Sequence, residues 1–575
     1  MLKIFNNVRI MLTYRINGAA HTIKSTGDFS NSHISLKIIS KLERDKSILS
    51  VKIIPDQIIE AVKLELYADY VFSGDDKIFA NGFQSWTDSR EFSIDEKIPK
   101  PGFIAGKVMK KYVLDRYGDG QFYKLSGRRG VFHSHTYTYF RNGSDYILIG
   151  SLSEKKGYTI IESDVSKKRI RIIKDCEGAI WNSGTTPLEI IAVAGDEKSV
   201  FDQYFSACGI KPSQSRPLTG WTSWYNYYQN ITEDIILENI SAVKKHAPEF
   251  SVFQIDDGFA RAVGDWLDID SEKFPRGMEF IASEIHNSSM MAGIWLAPFA
   301  AEKNSKIFNE NPEWILKDNK GIPVLAGGNW STFYALDFYN PEVREYLKEV
   351  FNIVFNVWKY DLVKLDFLYA VSLIPQHGKS RGEIMYEAME FIRVCAKDKL
   401  ILGCGVPLGS VFGLVDYCRI GCDVGLDWND KFYMKYLHRE RISTLNAVIN
   451  SISRRHLNGR AFLNDPDVFL LREDNLQLNQ NQKETLFIIN SIFGGLVFTS
   501  DNLNLYHEEQ FKMINKLTDF AVKENVEVNT LNSYLYEIKY SENNSRFRIA
   551  VNLSAEPVKF EDVVLEPYQT KFIKI

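Results

Sequence analysis

From residue 218 onward the chain repeats one pattern: a short apolar run, a polar residue that closes it, then a stretch with apolar residues at three- and four-residue spacing. The apolar runs are LTGWTSW, FSVFQID, MAGIWLA, LVKLDF, LILGCG, VDYCRI, AFLND and GLVFTS. Between them EDIILENISAVKKHA, GMEFIASEIHNSS, PEVREYLKEVFNIVFNVWK, RGEIMYEAMEFIRVCAK and KYLHRERISTLNAVINSIS carry helical periodicity. Buried strands joined through amphipathic helices pair in parallel. Eight such runs over residues 218–524 predict a closed (β/α)8 TIM barrel rather than an open sheet. In that architecture the carboxyl ends of the strands form the active site.

The flanks read differently. Segments such as HISLKIIS, ILSVKIIP, AVKLELYADYVF, DYILIGSLS, YTIIES and RIRIIKD are rich in β-branched residues and broken by Gly, Asn, Asp and Ser, which predicts an all-β, sandwich-like domain over residues 1–198. SVFDQYFSACGIKPSQSRP follows as a short helix and a proline-bearing linker, 199–217. SYLYEIKYSE, SRFRIAVNLS, VKFEDVVLEP and TKFIKI predict a small antiparallel β-domain over 525–575. The expected fold class is therefore multidomain α/β.

A net charge of −4 and a pI near 6.3 give no electrostatic reason to expect nucleic acid or an anionic membrane as partner. No apolar run reaches the roughly 18 to 20 residues of a membrane span. The N-terminal MLKIFNNVRIMLTYRING has polar residues every few positions and no small-residue cleavage site, so the expectation is a cytoplasmic protein. The six cysteines, at 176, 208, 395, 404, 418 and 422, make no disulfide framework, and Cys418 and Cys422 lack the further ligands of a zinc site.

Polar residues concentrate where the chemistry would be: Trp221 and Trp224, Asp256 and Asp257, Trp295, Lys364 and Asp366, Cys404, Arg419 and Asp423, Asn464, Asp465 and Asp467, Ser500 and Asp501. One such residue is commonly a helix cap or turn former; so many at eight strand ends predict a site. Two carboxylates from two strand ends, Asp366 and Asp423, are the minimum equipment for cleaving a glycosidic bond. Lys364 alternates onto the same side as Asp366 and favours its ionised form. Asp423 must be protonated when substrate arrives, so Arg419 is expected to hold a substrate hydroxyl or another carboxylate rather than Asp423. Asp256 and Asp257 offer acceptors to neighbouring sugar hydroxyls.

GWTSWYNYY, FQIDDGFARAVGDW, GIWLAPF, YALDFYNPEVREYL, VKLDFLYA, ILGCGVPL, RIGCD and FLNDPDVFLLRE, in this order and with NGFQSW ahead of them, resemble the family 36 glycoside hydrolases, the α-galactosidases of the melibiase clan, in their shorter prokaryotic form. The K-x-D and R-x-x-x-D blocks carry most of the likeness. The resemblance implies Asp366 as nucleophile of a retaining double displacement and Asp423 as general acid and base. It places Asp256 and Asp257 on O4 and O6 of galactose, Lys364 and Arg419 on other ring hydroxyls, and Trp295 along the pocket, with Trp86 reaching over from the β-domain. Cys404 would sit beside the O2 hydroxyl and favour galactose over N-acetylgalactosamine. The implied partner is an α-galactoside oligosaccharide, with neither metal nor organic cofactor. Relatives often assemble through their β-domains, so a homo-oligomer is compatible with the resemblance.

The chain departs from the common pattern at Cys422, where the shorter relatives have proline, at Asp427, an extra carboxylate near the expected proton donor, and at Phe83, where tryptophan is common in the NxxQSW block. The alternatives that share this constellation are an α-N-acetylgalactosaminidase and an enzyme transferring galactose to a sugar acceptor.

Overall fold

The computed structural model describes residues 4–118, 120, 122–434, 441–515 and 523–574. Its centre is a parallel, barrel-like sheet. The first six strands are Leu218–Thr222, Val252–Ile255, Met291–Leu296, Leu362–Leu365, Leu400–Gly403 and Tyr417–Arg419, and the eighth is Leu496–Thr499. Each lies inside one of the apolar runs, and each pairs in parallel with its neighbours, the first with the eighth included. The seventh position is filled by two pieces. Leu463–Asp465 pairs with the sixth strand and Val468–Phe469 with the eighth, so the ladder closes through a strand that is itself interrupted at Pro466 and Asp467. Asp467 has φ 78°, which turns the chain at the break.

The strands form because short apolar runs buried on both faces satisfy their backbone only by pairing, and the helices start where the sequence supplies caps. Ser380 and Glu383 make a capping box ahead of Arg381–Ala396, and Asn479 and Gln482 do the same ahead of Gln480–Phe493. Asn340 caps Pro341–Asn352 with proline in its first turn. Two expectations change here. The helix expected over 341–359 widens into a π turn at Ile353–Val357, and Gln480–Phe493 is a helix between the seventh and eighth strands that the periodicity did not single out. The stretch KYLHRERISTLNAVINSIS is helical over Thr444–Ser453, while 435–440 lie outside the described residues. After the third strand the chain also builds a three-stranded antiparallel sheet, Ala300–Glu302, Leu325–Gly327 and Phe333–Ala335, which overhangs the strand ends.

Ahead of the barrel, a seven-stranded and an eight-stranded sheet face each other across a core that includes Leu12, Leu66, Ile172, Val51, Ile53 and Ile190. The helix leading out of them is Glu197–Ala207, starting two residues before the expected 199. Behind the barrel, a four-stranded antiparallel sheet begins with Glu524–Asn532, a strand absent from the sequence expectation. Among the described residues no helix is long and apolar enough to cross a membrane.

Among the contacts between the N-terminal sheets and the barrel, one loop reaches the strand ends. Gln84 bridges to Pro407, Ser85 N donates to the Val406 carbonyl at 3.1 Å, and Ser89 N donates to Asn450 Oδ1 at 2.9 Å. Arg454, at the end of Thr444–Ser453 and 0% exposed, fastens this loop: it donates to Asn81 Oδ1 at 3.1 Å, the Ser85 carbonyl at 2.7 Å and the Ile420 carbonyl at 2.9 Å. It also reaches the Gly82 and Gln84 carbonyls.

Candidate active site

Strand register assembles the site in two rows. Ile255 pairs with Ile294 and Trp295 with Lys364, so Asp256, Trp295 and Lys364 fall at one level on the second, third and fourth strands. One step beyond the Leu365–Gly403 pair stand Asp366 and Cys404, and beyond Gly403–Cys418 and at Arg419–Asp465 the row continues through the sixth and seventh strands. Neighbouring residues of a row point to the same side of the sheet, which brings distant sequence positions together.

Asp366 is 8% exposed. Trp295 Nε1 donates to its Oδ2 at 3.2 Å, and Phe367 N donates to its Oδ1 at 2.8 Å. Burial pushes this carboxyl above the usual range, opposed by the Lys364 charge and by its hydrogen bonds. Phe367 has φ 51°, a left-handed conformation that costs energy for a bulky residue. Its ring is wedged among Trp86, Trp330 and Phe333, which holds the strained turn in place.

The direct partner of Lys364 differs from the expected one. Its Nζ donates to Asp256 Oδ2 at 2.7 Å, and it acts on Asp366 as a nearby charge, not as a bonded donor. The register explains this: Lys364 shares a row with Asp256, and Asp366 lies in the next. Gln254 Nε2 adds a second bond to Asp256 Oδ2 at 3.2 Å. Asp257 accepts from Trp330 Nε1 at 2.8 Å and Gln229 Nε2 at 2.9 Å, both on Oδ2. Burial pushes Asp257 up to about 6, with the Asp256 charge adding to it and the two donors opposing.

Asp423 follows the sixth strand, and its side chain is 38% exposed. Here the expectation about Arg419 is overturned: Arg419 Nη1 donates to Asp423 Oδ1 at 2.9 Å. The same buried guanidinium meets Asp465 Oδ2 at 3.1 Å through Nε and Asp467 Oδ1 at 2.8 Å through Nη2. Three carboxylates thus share one arginine, whose side chain is committed to them. Asp427 is turned outward onto Lys431 at 2.7 Å, and the Cys422 thiol donates to the Arg441 carbonyl at 3.4 Å.

Trp86 of the N-terminal loop does reach the strand ends. Its Nε1 donates to Cys404 Sγ at 3.2 Å, and its ring meets Phe367, Tyr117 and Tyr369. Gly405, with φ +56°, makes room for it: a Cβ there would lie 2.8 Å from the indole and 2.9 Å from Phe367 N. Phe83 sits away from the pocket, among Phe122, His135 and Tyr158.

The structure therefore brings together Asp256, Asp257, Trp295, Lys364, Asp366, Cys404, Arg419, Asp423 and Trp86. Sequence reasoning missed Trp330. Its Nε1 bonds Asp257, and its ring lies 6.1 Å from Trp295. It comes from the overhanging antiparallel sheet, whose short strands leave no periodicity, and its one sequence signal is an indole beside glycines in GGNW.

Comparisons with known proteins bear on the family and the fold. Residues 212–392 match the Melibiase family model. Over 212 residues the chain is 23% identical to alpha-galactosidase 1 of Pediococcus pentosaceus, which covers 33% of this chain and 27% of that protein. Over 193 residues it is 27% identical to the alpha-galactosidase of Escherichia coli, covering 32% and 26%. The aligned stretch thus spans about a quarter of these curated relatives. An α-galactosidase from Thermus thermophilus, solved with p-nitrophenyl α-D-galactopyranoside, superposes with TM-score 0.69 at 25% identity over 93% of this chain and 98% of its own. With the K-x-D and R-x-x-x-D carboxylates at the ends of the fourth and sixth strands, the chain is thus similar to the melibiase family over residues 212–392 and shares the fold of the Thermus thermophilus α-galactosidase.

Proposed function

We propose that the protein is a retaining α-galactosidase that removes terminal α-D-galactosyl residues from α-galactosides, with the (β/α)8 barrel as its catalytic domain. The observation that carries this reading is the contrast between two carboxylates on the fourth and sixth strand ends. Asp366 is buried and fixed by two donors, as a nucleophile must be to meet the anomeric carbon. Asp423 is over a third exposed, as a group that must exchange protons with water requires.

In the first step the Asp366 carboxylate attacks C1 from the face opposite the glycosidic oxygen, while Asp423 gives its proton to that oxygen as the bond breaks. The product is a galactosyl ester of Asp366. In the second step Asp423 takes a proton from water, the water oxygen attacks C1, and Asp366 leaves as carboxylate; two inversions give net retention. This chemistry calls for a carboxylate separation of about 5 to 5.5 Å in the complex. Asp256 and Asp257 accept from O4–H and O6–H of galactose, with Lys364 and the Arg419 cluster on the remaining hydroxyls and Trp295, Trp330 and Trp86 as walls. Cys404, under Trp86, narrows the space at O2.

Asp366→Gly should lower turnover of nitrophenyl α-galactoside by at least about a thousandfold with the thermal melt little changed. Added azide or formate should restore cleavage and give a product of inverted configuration. Near-full activity of the variant would remove Asp366 from the mechanism.

A further inference from the structure

We propose that Asp467 is a positioning residue for the proton donor, holding both the arginine that grips Asp423 and the backbone that follows it. This rests on the reading of Asp423 as general acid and base. Asp467 Oδ1 meets Arg419 Nη2 at 2.8 Å, and its Oδ2 accepts from Val424 N at 2.7 Å, the residue after Asp423. Its own N donates to Asp465 Oδ1 at 2.8 Å, and Asp465 binds the same guanidinium at 3.1 Å. The acid's loop is therefore clamped at two points by one side chain.

The break in the seventh strand makes this possible. In an uninterrupted strand 467 would follow the ladder; with φ 78° at the break it turns its carboxylate toward the sixth strand end, which an extended backbone would not do. One guanidinium facing three carboxylates, two of them buried, is short of positive charge, which favours a proton on Asp467 toward neutral pH. Burial, with Asp423 and Asp465 alongside, pushes Asp467 up to about 7. The other ionisable groups around it are the Tyr225 hydroxyl beside Asp467 and, through Arg419, Cys404 and Lys364, with Asp366 and Asp256 in turn facing those two.

Asp467→Asn isolates the effect. Asparagine tolerates the left-handed backbone and keeps an oxygen for Val424 N, so the variant loses a charge and little shape. With two carboxylates left on the arginine, the cluster releases its proton at lower pH. The alkaline limb of kcat/KM should move down by about one pH unit, and near pH 7 kcat for melibiose, whose leaving group needs a proton, should fall about tenfold. For nitrophenyl α-galactoside, whose leaving group needs none, the fall should stay below about threefold. Asp465→Asn, which removes a charge from the same arginine without touching Val424, should shift the limb in the same direction, and it carries the test should Asp467→Asn fail to fold. An unmoved limb, or equal losses on both substrates, would make Asp467 structural only and overturn the proposal. Asp423→Asn measured in parallel separates the two levels: if it keeps wild-type turnover of melibiose, the assignment of the acid itself has failed.

Discussion

Asp257 shows what burial does to one carboxylate of the site. Held at about 6 in the fold against about 3.9 in an unfolded chain, it binds its proton more tightly when folded. Its contribution to stability is therefore complete below about pH 4 and declines as pH rises to about 6, by about 3 kcal/mol for a shift of roughly two units. Asp257→Asn should flatten that part of a plot of Tm against pH; an unchanged slope would assign the effect to Asp366 or Asp467, which burial raises in the same direction. Sugar hydroxyls gain from the ionised acceptor, so KM for an α-galactoside should fall over the same range. Stability of the fold and affinity for the proposed substrate thus run in opposite directions with pH, and the position of Asp257 between Trp330 and Gln229 links them.

At the scale of elements, the loop 81–89 and the end of helix Thr444–Ser453 form one device. Arg454→Met would leave the Asn81 amide oxygen and the carbonyls of Ser85 and Ile420 buried without their donor, at a cost of about 3 kcal/mol or more. A melting experiment should show a Tm lower by several degrees and kinetics a raised KM, as Trp86 loses its anchor; an unchanged Tm would show that water replaces the arginine. Strand ends were legible in the sequence because an apolar run closed by a polar residue needs only local information. The partners of those residues were not. Lys364 and Asp366 are two apart in sequence, yet Lys364 bonds Asp256 because strand register sets its row. Arg419 gathers Asp465 and Asp467 as well as Asp423 because the seventh strand breaks beside it, and Pro466 in AFLNDPDVF is the one local sign of that break. Gln480–Phe493 escaped notice because it is buried nearly all round, which blurs the stripe that marks an amphipathic helix.

At the scale of the molecule, one continuous apolar core runs from Phe79, Tyr137 and Tyr204 of the N-terminal part, through the barrel, to Ile538 and Val551 of the C-terminal sheet. The parts should therefore unfold as one unit: calorimetry should give a single transition, and a fragment starting at residue 212 should be inactive and poorly folded. Two resolved transitions would show the sheets to be independent of the barrel. The contact between Trp86 and Cys404 has a practical consequence in this light. The thiol is buried beneath the indole and pushed far above its ordinary range, so an alkylating reagent meets neither an open path nor a thiolate. Half-buried Cys395 is the internal standard on the same chain. The rate at which Cys404 is labelled, read peptide by peptide in a mass spectrometer, becomes a clock for how often the N-terminal loop lifts off the barrel mouth.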